Sequence, residues 1–299
     1  MVTVLAGGTG GAKLAAGLAD AAGDVTVIAN TGDDVEIYGV HVSPDPDLVT
    51  WWLAGIIDER GWGIADDTFE AMKREADPWF QLGDRDLELC RLRTERLAAG
   101  ARLTDAHAAV VAAVGVDQRV FPMCDEPVRT HVRTPRGLRP FQEFMIVDGW
   151  AGPIEEVVLE GIDAARVTPE VTAALSTAEA IVIGPSNPVI SIGPILAVPG
   201  MRDALRAARA PVVAVSPFVG GRAVKGPTDD FCHSAGIELS AQGIADAYAE
   251  LIDGVVADEP VAGMPGLVTD TLMDDAAARG SLARKILDFA ASLPSRRGA

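Results

Sequence analysis

The stretch VTVLAGGTGGAKLAAGL (residues 2–18) decides the fold, because a short apolar run leads into a dense group of glycines and then into a helical pattern. A second apolar run, VTVIAN (25–30), follows. This order predicts a strand, a glycine-rich turn, a helix and a second strand. Strands that are apolar throughout belong to a sheet covered on both faces. We therefore predict an α/β fold with a mostly parallel sheet and helices on both of its faces.

The same alternation returns late in the chain, whereas the middle has a different character. Strand patterns at 178–188 and 210–218 flank a helical pattern at 201–209, and 244–256 and 283–293 predict closing helices. Helical patterns fill 47–58, 66–75, 84–99 and 104–114, and half-exposed strand patterns follow. We predict one elaborated domain over 1–299, with a core of 1–46 and 171–299. An inserted helical segment covers 47–118, and a small mixed α+β cap covers 119–170.

Composition excludes several classes of protein. The net charge of -18 over 299 residues disfavours nucleic-acid binding, which depends on clustered lysines and arginines. Apolar stretches stay below the roughly 18 residues that span a membrane, and the first 20 residues lack a signal-peptide pattern. Cys90, Cys124 and Cys232 are too widely spaced for a disulfide framework or a zinc site. These features predict a cytoplasmic protein without a membrane or nucleic-acid partner.

The opening glycines match neither of the two common nucleotide-binding motifs. A dinucleotide fingerprint needs a third glycine where Lys13 stands and an acid where Asn30 ends the second strand. A P-loop needs Gly-Lys-Ser/Thr, and Lys13 lies between alanine and leucine. The remaining feature is a turn that brings backbone amides close to an anion at a helix N-terminus. Polar, glycine-containing loops at 184–195 and 216–227 also follow predicted strands, so the three loops predict a phosphorylated ligand at one sheet edge.

Carboxylates cluster beyond the second strand, in NTGDD (30–34) and SPDPD (43–47), and again in GDRDL (83–87). Loop carboxylates near a phosphate site are suitable Mg²⁺ ligands. The competing interpretation is turn and N-cap chemistry, in which these side chains bind their own backbone. The four histidines and the serines show no nucleophile motif, so alignment and charge neutralisation are preferred over covalent catalysis.

Taken together, six motifs resemble the 2-phospho-L-lactate transferase family of coenzyme F420 biosynthesis, in particular its bacterial phosphoenolpyruvate transferases. The motifs are LAGGTGGAKLAAGL, IANTGDD, SPDPDLVTWWLAG, WFQLGDRDLELCRLRT, IGPSNPVISIGPIL and VSPFVGGRAVKGPTDDF. They occur in the family's order, from the first residues to about residue 250, so the resemblance covers most of the chain.

The resemblance implies a Rossmann-like sheet with a smaller cap in a homodimer, and a Mg²⁺-assisted transfer between two small molecules. The donor would be a guanosine diphosphate derivative carrying an enolpyruvyl or lactyl group on its terminal phosphate. The acceptor would be the ribityl hydroxyl of the 5-deazaflavin FO, and GMP would leave. The sequence leaves open whether the transferred group is enolpyruvyl, lactyl or glyceryl.

The resemblance also implies roles for individual residues. Asp45, Asp47 and Arg85 are expected to be catalytic, and Asp45 and Asp84 to hold the metal. Which of Asp45 and Asp47 faces the metal and which acts as the base stays open. Contacts to the donor are expected from Gly8, Thr9, Gly10, Gly11, Asn30, Asp33, Ser186, Asn187, Gly193, Ser216 and Gly220.

Two other interpretations remain. A regulatory protein of the same fold superfamily would bind a nucleotide sugar without turnover, and it would share the glycine turn and a loop like 184–193. SPDPD and GDRDL distinguish the transferase from it. An NAD-dependent oxidoreductase is disfavoured by the missing third glycine and by Asn30.

Overall fold

The computed structural model describes residues 1–224 and 226–294. In chain order, the strands are β1 (Val2–Ala6), β2 (Val25–Ala29), β3 (Val35–Ile37), β4 (Val40–Val42), β5 (Arg119–Pro122), β6 (Arg129–Thr134), β7 (Gly137–Pro140), β8 (Glu156–Glu160), β9 (Ala180–Ile183), β10 (Val212–Val215), β11 (Phe218–Val219), β12 (Arg222–Ala223), β13 (Gly254–Ala257) and β14 (Gly266–Val268). The helices are α1 (Gly8–Ala22), α2 (Pro44–Ala54), α3 (Asp84–Ala98), α4 (Leu103–Ala113), α5 (Pro169–Thr177), α6 (Ile192–Ala197), α7 (Met201–Ala207), α8 (Thr228–Ser234), α9 (Ala241–Tyr248) and α10 (Ala276–Ser292). Within the described ranges, every helix is too short or too polar to cross a membrane.

The central sheet has seven strands in the order β14-β13-β10-β9-β1-β2-β5, and every neighbouring pair is parallel. The sheet has one hydrophobic core on each face. Successive residues of β1 point to opposite faces, so Leu5 packs into one core and Val4 into the other. Both faces are therefore covered, as a parallel sheet requires. The predicted α/β fold with a Rossmann-like sheet is confirmed.

Two strands of the main sheet, β5 and β13, differ from the sequence-based assignment. β5 pairs with β2, so 119–122 belong to the main sheet and not to the cap predicted for 119–170. The helix predicted over 244–256 ends at Tyr248, and Gly254 begins β13. A Cβ at Gly254 would lie 2.8 Å from the Phe289 ring of α10, so glycine at this position lets the helix lie directly on the strand.

The inserted segment contains three of the four predicted helices, as α2, α3 and α4. The helix predicted over 66–75 is absent apart from one 3-10 turn at Met72–Arg74. The backbone amides of Glu70 and Ala71 donate to the carboxylate of Asp84 instead of to helical carbonyls. Asp66 also has a left-handed backbone, with φ of +56°. Side-chain acceptors have therefore replaced the helical hydrogen bonds here.

The cap consists of the antiparallel sheet β7-β6-β8 and a π-helical turn at Glu143–Val147. Its core joins Val132 and Phe144 to Ile190, in the loop after β9, and to Phe231 of α8. This apolar contact holds the cap over the carboxyl edge of the main sheet.

A buried ion pair holds the inserted segment together. Arg93 of α3 is fully buried and donates to both carboxylate oxygens of Asp47 in α2, at 2.6 and 2.8 Å. The same guanidinium donates to the backbone carbonyl of His41 at 3.0 Å. The attraction and hydrogen bonds within the pair offset the cost of burying both charges, but the loss of either partner leaves an unpaired buried charge.

We expect Arg93→Met to lower the free energy of unfolding by about 3–5 kcal/mol, because Asp47 would remain buried without its partner. Urea denaturation at pH 7 measures this change. Arg91→Met, at an exposed position of the same helix, is the control and should change the stability by less than about 0.5 kcal/mol. A loss below about 1 kcal/mol for Arg93→Met would contradict a structural role for this pair.

Candidate functional site

The turns after β1, β2, β9 and β10 meet at one edge of the sheet, because parallel strands bring their carboxyl ends together. They surround a cavity of about 570 Å³. Eight of the residues predicted to form the site line this cavity, and they come from all four turns and the start of α2. They are Gly8, Thr9, Gly10, Asp33, Asp45, Ser186, Asn187 and Ser216.

The glycine turn is shaped by close backbone contacts. A Cβ at Gly10 would collide with the backbone carbonyl of Pro185, and a Cβ at Gly7 would lie 2.8 Å from the Asp45 carboxylate. Gly8 has a left-handed backbone with φ of +63°, which glycine adopts without strain. The turn therefore needs glycine for its conformation and for the approach of its neighbours.

Asp45 belongs to the first turn of α2, and its side chain reaches the N-terminus of α1. Its carboxylate accepts hydrogen bonds from the Gly8 amide at 2.6 Å and from the Asn30 side-chain amide at 3.0 Å. Asn30 also donates to the Ile190 carbonyl at 3.3 Å and accepts from the Gly32 amide, so its orientation is fixed. Burial raises the pKa of Asp45 to about 6, although both hydrogen bonds favour the charged form.

Asp33 is the second acid of the cavity wall. Its Oδ1 atom is buried and has no hydrogen-bond partner among the described residues. Burial, followed by the negative charge of Asp45, raises the pKa of Asp33 well above its ordinary value. Two neighbouring carboxylates with one oxygen atom unpartnered form a donor set suited to a hard divalent cation such as Mg²⁺.

Gly11, Gly193 and Gly220, which were also predicted to contact the donor, do not line the cavity. Gly11 packs against Ser186 and Ala6, and Gly193 faces the Pro188 carbonyl. Gly220 donates its amide to Asp258 at 2.6 Å. Lys225, between these loop residues and α8, is outside the described residues. Gly11, Gly193 and Gly220 support the shape of the turns, whereas the eight lining residues face the cavity.

The sequence pattern of the family described as "2-phospho-L-lactate transferase CofD" matches residues 2–270. The chain belongs to this family. Membership confirms the resemblance noted from the motifs and makes the chain a transferase of coenzyme F420 biosynthesis. The family assignment therefore favours an enzyme over a regulatory protein without turnover.

Relatives of this family match almost end to end. A "Phosphoenolpyruvate transferase" of Kitasatospora aureofaciens is 40% identical over 97% of both chains. A "2-phospho-L-lactate transferase" of Methanopyrus kandleri is 39% identical over 96% of both chains. Among solved structures, a UPF0052 family protein from Bacillus halodurans shares the fold at 18% identity, with a TM-score of 0.62 over 96% of this chain and 98% of that chain.

In this CofD family member, Asp84 and Arg85 lie away from the cavity. Both oxygens of the Asp84 carboxylate accept hydrogen bonds from the 68–71 loop, and hydrogen bonding to Thr68 is the main cause of its lowered pKa. The exposed Arg85 donates to the Ala65 carbonyl at 3.3 Å. The structure therefore brings Asp45 together with Asp33 and not with Asp84.

Asp47 also faces away from the cavity and is held by Arg93. Asp47, Asp86 and Cys90 place potential ligand atoms within 4.8 Å of one another. The Arg93 guanidinium contacts Asp47 and lies 3.5 Å from the Cys90 sulfur, so a positive charge already occupies this cluster. The geometry gives Asp47 a structural position in the family fold.

An aromatic rim was not predicted as part of the site. Trp62 and Trp150 line the cavity while 42% and 47% exposed, and Phe141 and Ile146 continue the apolar surface. Each tryptophan stands between glycines, in GWG (61–63) and GWAG (149–152). A large aromatic side chain in a glycine-rich loop is a poor candidate for a packed core, and this signal could have marked the rim.

The raised pKa values of Asp33 and Asp45 predict a loss of stability at high pH. Above the ordinary pKa of aspartate, the unfolded chain has already lost protons that Asp33 and Asp45 still bind in the folded protein. The folded state therefore loses stability as the pH rises through the raised pKa values. Asp33→Asn removes one charge of the pair, so its Tm at pH 8 should exceed that of the unmodified protein by roughly 2–4 °C. At pH 4 the two should agree.

Differential scanning calorimetry at both pH values measures this effect. Asp274→Asn, an exposed acid of the same cavity, is the matched control and should leave Tm unchanged. An Asp33→Asn variant that is less stable than the unmodified protein at pH 8 would contradict a destabilising charge pair.

Proposed function

We propose that the chain transfers a phosphoenolpyruvyl or 2-phospho-L-lactyl group from a guanosine diphosphate derivative to the ribityl hydroxyl of FO, and releases GMP. One observation carries this proposal: a single cavity joins a glycine turn, a pair of buried acids and an aromatic rim. The activities after which the relatives are named support it. A cytoplasmic location and a homodimer, both implied by the family, belong to the same proposal.

The glycine turn and the loop after β9 form the donor end. Backbone amides at the N-terminus of α1 attract the diphosphate, because their dipoles are aligned. Asn187 accepts from the amides of Val189 and Ile190, and its buried Nδ2 atom has no partner among the described residues. This amide nitrogen is free to donate to an anionic or carbonyl oxygen of the donor.

Asp33 and Asp45 are the residues proposed to hold Mg²⁺, in place of Asp45 and Asp84. The unpartnered Oδ1 atom of Asp33 provides a ligand without breaking an existing bond. When bound, Mg²⁺ supplies positive charge beside the phosphate oxygens. The two carboxylates keep this charge at the end of the cavity where the donor phosphate binds.

The aromatic rim is the proposed acceptor end. Trp62, Trp150 and Ile146 offer a large apolar surface that the protein itself leaves exposed, which is the environment that a planar deazaflavin ring needs. An acceptor bound there directs its ribityl chain toward the acids. The ring is held by stacking and the hydroxyl by the polar centre.

In the proposed reaction, the FO hydroxyl oxygen forms a bond to the distal phosphorus, and the bond from that phosphorus to the bridging oxygen breaks. GMP leaves with the bridging oxygen, and the hydroxyl proton passes to a carboxylate oxygen of Asp33 or Asp45. Alignment and charge neutralisation supply most of the acceleration in such transfers, and a base adds roughly 10²–10⁴-fold where it acts.

Asp45→Asn and Asp33→Asn should each lower kcat by about 100-fold or more, because both acids contact the reacting centre. The assay follows products by mass spectrometry after incubation with FO, Mg²⁺ and either the enolpyruvyl or the lactyl donor. The mass of the product also identifies the transferred group. Absence of any FO phosphodiester with both donors would refute the proposed function.

Asp84→Asn distinguishes the two metal assignments. It should keep at least about one third of the activity, because Asp84 binds a loop away from the cavity. If Asp84→Asn abolishes Mg²⁺-dependent turnover while Asp33→Asn does not, the metal pair is Asp45 and Asp84. Asp24→Asn, an exposed acid paired with Arg119, is the charge-matched control.

Trp150→Ala should weaken FO binding about 10-fold through the loss of ring stacking and apolar burial, while leaving GDP binding unchanged. Quenching of FO fluorescence measures the first affinity, and calorimetry the second. Trp79→Ala, a tryptophan outside the cavity wall, is the control. Equal loss of FO and GDP affinity in Trp150→Ala would place both ligands at the rim and contradict the division into two ends.

A further inference from the structure

Lys13 is the only lysine or arginine among the described residues that line the cavity, which also contains the acids Asp33, Asp45 and Asp274. In a chain with a net charge of -18, a ligand that carries phosphates meets a surrounding negative charge. A single lysine inside the cavity therefore has a large influence on the local field.

The position of Lys13 directs its side chain toward the glycine turn. Lys13 is in the second turn of α1, three residues after Gly10, so both lie on the same face of the helix. Side chains of an α-helix point back toward its N-terminus. The four-carbon chain of Lys13 therefore extends toward the end of α1 at which the amides face the cavity.

The ammonium group of Lys13 has neutral partners. Its Nζ atom donates to the Met273 carbonyl at 3.2 Å and lies 5.7 Å from the centre of the Trp52 ring. No ion pair with a carboxylate fixes Lys13 in the described part of the chain, since its hydrogen bond goes to a backbone carbonyl. An incoming anion can thus compete for this ammonium without first breaking a salt bridge.

The wall that holds Lys13 also contains a polar group without a hydrogen-bond partner among the described residues. Thr271 lies two residues before Met273, lines the same cavity and is only 5% exposed. Its hydroxyl oxygen has no hydrogen-bond partner among the described residues. A buried polar atom that faces a cavity in this way is satisfied when a ligand occupies the space. This segment follows residue 270, where the family match ends.

On the basis of the proposed function, we propose that Lys13 binds the diphosphate of the donor, moving from the Met273 carbonyl to the phosphate oxygens. Lys13 then supplies the cation that a P-loop lysine provides in a different sequence context, while the glycine turn supplies the amides. The segment 271–274 acts as the resting partner of Lys13 and as a wall of the donor site.

Lys13→Met tests this assignment through ligand binding alone. Calorimetric titration with GDP, GMP and guanosine, in the presence of Mg²⁺, gives three affinities for each protein. We expect GDP binding to weaken by about 10- to 100-fold, GMP binding to weaken less, and guanosine binding to stay within about two-fold. Lys13→Arg should restore part of the GDP affinity, because it retains the charge.

Lys73→Met is the matched control, since it removes the same charge from a side chain that is 68% exposed and outside the cavity wall. It should bind all three ligands as the unmodified protein does. Unchanged GDP affinity in Lys13→Met, or an equal loss for GDP and guanosine, would overturn the role of Lys13. Failure of the unmodified protein to bind GDP would instead refute the proposed function.

Discussion

The carboxylate of Asp45 accepts a hydrogen bond from the Gly8 amide, and the rest of the site depends on this contact. It joins α2, the first helix of the inserted segment, to the N-terminus of α1, the first helix of the core. The contact also places a negative charge where a helix terminus attracts anions. A phosphate that reaches the Gly8 amide must therefore displace this carboxylate or share a cation with it.

The position of Asp45 in α2 also separates its role from that of Asp47, which lies close in sequence. Asp45 and Asp47 are two residues apart in α2, so about 200° of helical rotation separates their side chains. One carboxylate faces the glycine turn, and the other meets Arg93 inside the inserted segment. A helix cannot direct both toward one ligand. The helix geometry, rather than the residue type, decides which acid is available for chemistry.

The sequence predicted the parts of the fold that rest on local patterns. Apolar runs identified β1, β2, β9 and β10, and the glycines marked the turn at Gly8 and Gly10 correctly as a cavity wall. β13 was assigned to a helix because its apolar residues continue the spacing of α9, whereas its strand conformation depends on pairing with β10 and β14. Lys13 meets the Met273 carbonyl, 260 residues further along the chain, and no local pattern contains that information.

The negative charge of the protein explains why binding of a phosphorylated ligand in this cavity would need several weak interactions. The protein has 43 acidic and 25 basic residues, and two of the acids are buried together in the cavity wall. Under the proposed function, backbone amides, a cation held by the acids and Lys13 together offset the repulsion between these acids and a phosphorylated ligand. In the same proposal, the apolar rim adds affinity for the neutral ring of the acceptor without adding charge to the cavity. The two acids, under the proposed function, repel the donor least when they hold a cation.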